Sequence, residues 1–159
     1  MLSREAFMMT VFRKLNLKDQ TEIVVLNAPE SFEAELAGLR GVEVLRTLDG
    51  AGDVTFSLAF VTTQKDLDSL GKAVAKKAKG DAVVWFAYPK GTSKKYKSEI
   101  NRDHGWDQFG KAGFEPVRSI AIDEDWTGLR FRRTEFIKSM TRDPNYRMSA
   151  EGKARAAKK

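Results

Sequence analysis

Residues 54–88 begin with the apolar run Val54-Thr55-Phe56-Ser57-Leu58-Ala59-Phe60-Val61 and end with Ala82-Val83-Val84-Trp85-Phe86-Ala87-Tyr88. Runs this apolar are what strands buried on both faces require. Between them Thr63 and Asp66 have capping-box spacing, and Leu67, Leu70, Gly71, Val74 and Ala78 recur with helical period before Gly80. The stretch therefore predicts strand, helix and strand, with the helix stopping at Gly80. Such a unit places its two strands parallel.

The same alternation extends upstream. Ile23-Val24-Val25-Leu26 is a continuous apolar strand. Pro29 with Glu30, Glu33 and Glu35 opens a helix that turns Phe32 and Leu36 inward and closes at Gly38 and Gly41. Val42 to Leu45 is a short strand, and the eight-residue link Arg46 to Asp53 crosses as a bare loop. Ser3 caps an N-terminal helix over residues 1–15, carrying Leu2, Ala6, Met9 and Met8, Phe12, Leu15 at helical spacing.

Downstream, a helix from about Asn101 carries Trp106 and Phe109 and ends at Gly113. Val117 to Ile122 and Leu129 to Arg132 are the last two strands. The link Asp123 to Thr127 is too short for a crossover helix, so these two form an antiparallel hairpin. Right-handed crossovers then give an α/β fold. It is one open, mostly parallel sheet of about six strands in the order 2-1-3-4-6-5, with helices on both faces and an antiparallel C-terminal hairpin.

The 159 residues suffice for one domain that buries roughly 70% of its unfolded surface without staples. Zero Cys excludes disulfides, zinc knuckles, iron–sulfur ligation and cysteine nucleophiles, and a single His excludes multi-histidine metal sites. The net charge of +6 is uneven. Residues 138–159 hold seven basic and two acidic side chains, while 1–137 hold 21 and 20. The expected division is thus a near-neutral domain over 1–137 and a basic, disordered tail over 138–159. No stretch reads as a membrane span or secretory signal, so a cytoplasmic location and no membrane partner are expected.

In an open parallel sheet, ligands sit beyond the carboxyl ends of the strands. That rim collects Asn27 and Glu30 after strand one, Thr62 and Thr63 after strand three, Tyr88 and Lys90 after strand four, and Asp123, Asp125 and Trp126 after strand five. Hydroxyls, carboxylates and a lysine around one crevice suit a small polar or phosphorylated ligand. Asn27 and Asp123 suit turn capping equally well. If the crevice is catalytic, His104, Asp123 and Lys90 are the candidates, since His104 titrates near neutrality. One imidazole between Asp103 and Asp107 makes no recognised metal site, and no metal is expected.

The loop Lys90-Gly91-Thr92-Ser93-Lys94-Lys95-Tyr96-Lys97 lacks the spaced glycines of a P-loop. Its Lys94, Lys95 and Lys97, with Arg155, Lys158 and Lys159 of the tail, form a candidate for weak, sequence-independent contact with nucleic acid. Lys65, Lys72, Lys76, Lys77 and Lys79 read as the solvated face of their helix.

The layout from about Leu15 to Arg133 resembles an abbreviated S-adenosylmethionine (SAM)-dependent methyltransferase of the Rossmann-like type. That resemblance implies a glycine-rich first loop and an acidic residue after the second strand, which holds the cofactor ribose. Here the first loop is Leu26-Asn27-Ala28-Pro29-Glu30-Ser31, without Gly, and Arg46 follows the second strand. The topology admits SAM, but on these departures no cofactor is expected.

Three motifs also resemble a bacterial family of unknown function with a Rossmann-like core. They are Val24-Val25-Leu26-Asn27-Ala28-Pro29-Glu30-Ser31-Phe32, Val83-Val84-Trp85-Phe86-Ala87-Tyr88-Pro89-Lys90 and the run from Ala121 to Arg132. The function expected is a small binding or accessory domain, monomeric or homodimeric, rather than an enzyme. The alternatives are a methyltransferase-like enzyme using the crevice and a weak nucleic-acid binder.

Overall fold

The computed structural model describes residues 11–137. The predicted tail, with Arg155, Lys158 and Lys159, and the first ten residues of the predicted N-terminal helix lie outside them. The chain runs α1 (Val11–Lys14), β1 (Glu22–Leu26), α2 (Glu30–Ala37), β2 (Glu43–Leu45), β3 (Val54–Phe60) and α3 (Gln64–Lys77). It continues through β4 (Ala78–Pro89), α4 (Asp107–Lys111), β5 (Phe114–Ala121) and β6 (Trp126–Arg133), then a 3₁₀ turn at Thr134–Phe136.

The six strands form one sheet in the order β2-β1-β3-β4-β6-β5, as expected from the sequence. β1 is parallel to β2 and β3, and β3 to β4. β6 runs antiparallel to both β4 and β5. Alternation along the apolar strands sends side chains to two cores. Val24, Leu26, Val84, Phe86 and Phe131 meet Leu67 and Val74 of α3 and Phe109 of α4 on one face. Ile23, Val25, Phe56, Leu58 and Trp85 meet Phe12 of α1 and Phe32 and Leu36 of α2 on the other. Among the described residues no helix is long and apolar enough to cross a membrane.

Thr63 caps α3 as its spacing predicts, its hydroxyl accepting from the Asp66 N–H at 3.1 Å. β5 and β6 begin earlier than expected, at Phe114 and Trp126 rather than Val117 and Leu129, and two helix boundaries differ more. α3 ends at Lys77, and Gly80 lies within β4 with φ of +57°. There the β3–β4 register shifts, pairing Val54 with Ala78 but Phe56 with Val83. Gly80 thus serves a bulge rather than a helix stop.

The helix expected from Asn101 starts only at Asp107. Asn101 and His104 exchange backbone hydrogen bonds, the Asn101 side chain accepts from the Asp103 N–H, and Gly105 sits at φ +106°. That local pairing and left-handed glycine exclude helix over the segment.

Lys77 also departs from its assignment to a solvated face. Its ammonium donates to the carbonyls of Leu48 and, at 2.7 Å, Ala51. Two carbonyls of the bare β2–β3 link are thereby satisfied, which is how so short a crossover is held down.

Candidate functional site

β1 leads to β2 on one side of the sheet and β3 to β4 on the other, so the strand order switches between β1 and β3. Their carboxyl ends open into a crevice of about 450 Å³ lined by Asn27, Pro29, Phe60, Thr62, Asp66, Tyr96 and Trp126. That is ordinary ligand-pocket size at the ordinary place.

Asn27 turns the chain out of β1 at φ +58°, the left-handed conformation that a glycine would otherwise supply. The first loop therefore makes a glycine-type turn without a glycine. Pro29 then opens α2 in extended geometry, with no side-chain cap on the helix. Across the crevice, Asp66 lies in the first turn of α3.

An aromatic wall forms the third side. Trp126 packs edge-on against Phe60, with centroids 5.1 Å apart, and lies 5.0 Å from the Tyr96 ring. Its position follows from a hydrogen-bonded corner. Asp123 Oδ1 accepts the N–H groups of Asp125 and Trp126 at 2.7 and 2.9 Å. Ser93 Oγ donates to Asp125 Oδ1 at 2.8 Å and accepts from the Tyr96 N–H at 3.1 Å. Trp126 is 3% exposed, and its indole N–H is buried with no acceptor. An unpaired buried donor costs about 1–3 kcal/mol.

No side chain lining this crevice is basic. Three ring systems and a carboxylate suit an organic cation.

The rim residues read from the sequence divide accordingly. Asn27, Thr62 and Trp126 line the crevice. Glu30 begins α2 and is exposed, and Thr63 is occupied as the cap of α3. Tyr88 turns into the core beside Trp106, where burial raises its phenol above the usual range. Lys90 is held through its backbone N–H, which donates to the Asp125 carbonyl at 2.8 Å. Asp123 and Asp125 act as the corner just described. His104 is exposed in the turn before α4, away from the crevice lining.

Lys94 and Lys95 line a separate depression of about 470 Å³ with Thr92, Glu124 and Asp125, while Lys97 is simply exposed. A larger groove of about 660 Å³ runs between α3 and α4, where Gly71 meets Phe109. It lies on the flank of the sheet and not at the strand ends.

Phe60, Asp66 and Tyr96 were not singled out from the sequence as site residues. Phe60 and Asp66 were legible as the end of a strand and the start of a helix at one rim. Tyr96 reaches the crevice only through the Ser93–Asp125 hydrogen bond, which no spacing reveals.

Arg46, after β2, makes a bidentate pair with Glu33 of α2 at 2.7 and 2.8 Å. That hydrogen bond holds the Glu33 carboxyl below its usual range. The edge of the site where a ribose-binding acid would stand is thus a closed ion pair.

No family model matches the chain, and no curated protein matches it. The resemblance to a bacterial family of unknown function accordingly gains no support. Solved structures do match. A SAM-dependent methyltransferase from Aquifex aeolicus aligns with a TM-score of 0.54 and 13% identity, over 78% of this chain and 88% of that one. A chain from Sulfolobus solfataricus described as a type 11 methyltransferase aligns with a TM-score of 0.51 and 12% identity, over 90% and 98%. The fold is the Rossmann-like α/β fold of methyltransferases. This likeness corrects the expectation of no cofactor, because the Aquifex chain sharing the fold is one that depends on SAM. Asn27 makes, at φ +58°, the left-handed turn that a glycine would make in that position.

Proposed function

We propose that this chain binds SAM in the β1–β3 crevice and acts as a small methyltransferase. The observation that carries the reading is the lining of that crevice: Phe60, Tyr96 and Trp126 with Asp66 and no basic side chain. Bound there, SAM would supply an electrophilic methyl group on a cationic sulfur. The rings and the Asp66 carboxylate would hold that cation, and the Trp126 N–H, buried in the ligand-free protein, would donate to the carboxylate of the amino-acid end once the indole shifts toward the crevice. The ribose would be bound without an acidic residue on β2, since Arg46 holds Glu33. The neighbouring depression with Lys94 and Lys95 would receive a small anionic methyl acceptor.

Isothermal titration calorimetry tests this with SAM, S-adenosylhomocysteine and NAD. The expected result is binding of the two adenosyl sulfur compounds and not of NAD. Asp66→Asn should weaken SAM about tenfold or more while affecting the neutral thioether S-adenosylhomocysteine less. Absence of SAM binding at millimolar concentration would overturn the reading.

A further inference from the structure

Arg118 of β5 pairs directly opposite Arg130 of β6, and Arg132 stands two residues further along the same strand. Cross-strand partners, and residues two apart, share one face of a sheet. The three guanidinium groups therefore sit together. Their face is that of Trp85, because the Cβ site of Gly128 on β6 abuts the Trp85 and Ile120 side chains. Like charges placed directly opposite one another destabilise a sheet, so the arrangement costs the fold something.

Part of that cost is offset by an ion pair with Asp81. Asp81 is the carboxylate that opposes the cluster, and Arg132 already holds both its oxygens, at 3.0 and 2.5 Å. Arg130 is half-buried, and its Nε is buried with no hydrogen-bond partner. Burial and the charges of Arg132 and Arg118 all disfavour its protonated form, with only Asp81 opposing them. Arg118 is exposed, and Lys14 reaches the end of the same strand, donating to the Ala121 carbonyl at 3.3 Å.

We propose that this face of the β5–β6 hairpin, carrying Arg118, Arg130 and Arg132, is a contact surface for the phosphodiester backbone of nucleic acid. A guanidinium fork matches phosphate oxygens in pairs, and the exposed Arg118 presents one at this face. The chain leaving the hairpin strengthens the choice of a polyanion. Residues 138–159, beyond the 3₁₀ turn that follows β6, hold seven basic and two acidic side chains. The surface lies apart from the β1–β3 crevice, and its test does not depend on the cofactor.

The test is fluorescence anisotropy of a labelled 20-base-pair DNA duplex with the full chain across a salt series. Arg118→Gln/Arg130→Gln should weaken binding at low salt by about tenfold or more and make the log–log salt slope shallower by about 1.8. Lys65→Gln/Lys72→Gln removes the same charge from α3, on the opposite face of the sheet, and should change affinity less than about threefold. Should the double variant not fold, the exposed Arg118→Gln alone decides, with a slope change of about 0.9. The proposal is overturned by equal losses in the arginine and lysine variants. It is also overturned if the arginine variants lose nothing, or if the chain prefers phosphatidylserine vesicles to DNA.

Discussion

Trp85→Ala is expected to cost about 3–5 kcal/mol of folding stability, a large part of what a domain this size has. Trp85 is fully buried at the centre of β4, against the helices of one face. Its indole N–H also donates to the Leu15 carbonyl at 2.8 Å, tying the segment after α1 to the middle of the sheet. Truncation would open a cavity and leave a buried carbonyl without a donor. Trp85→Phe keeps most of the volume and should cost only about 1–2 kcal/mol. Urea unfolding followed by circular dichroism gives both numbers. Equal costs for the two would mean that packing contributes little and the hydrogen bond nearly everything.

Trp126 has the opposite signature, although it is almost as deeply buried. Trp126→Ala should cost about 3 kcal/mol, because Phe60 and Tyr96 both pack on its ring. Trp126→Phe should leave the stability of the ligand-free protein unchanged, or raise it by up to about 1 kcal/mol, since it deletes an unpaired buried donor. SAM affinity should move the other way. We expect a fall of about tenfold for Phe and about thirtyfold or more for Ala. A tryptophan that only packs would lose stability in Trp126→Phe and leave ligand affinity alone. Measuring both quantities on one variant separates the two roles.

The fold was legible because its signals are local. Apolar runs, the Thr63 cap and the short Asp123–Thr127 link suffice to order all six strands, since few crossovers satisfy the handedness rules. Boundaries were missed where a backbone conformation overrides composition, as at Gly80 in its bulge and Gly105 before α4. Lys77 was misplaced for another reason: a lysine at the end of a helix looks solvated unless the carbonyls it reaches are known.

The site was half legible. Strand-end geometry located Asn27, Thr62 and Trp126 without any motif. Two departures argued against a cofactor, the loop without glycine and Arg46 after β2; the first loses its force because Asn tolerates the same left-handed conformation, and the second stands as the Arg46–Glu33 pair. Asp123 and Asp125 look like chemistry in the sequence but are spent on hydrogen bonds that fix Trp126. Distant pairings of that kind are invisible in one dimension.

The occupancy of the crevice is most directly tested by the indole N–H resonances in a ¹⁵N-correlated NMR spectrum. The chain has three tryptophans, and two of their N–H groups are already spoken for. Trp85 donates to Leu15 and Trp106 to Asn101, each at 2.8 Å. On titration with SAM, the Trp126 resonance should move downfield as its donor gains an acceptor, while the other two stay nearly fixed. A Trp126 resonance unmoved at millimolar SAM would contradict the placement of the cofactor and the proposed activity together.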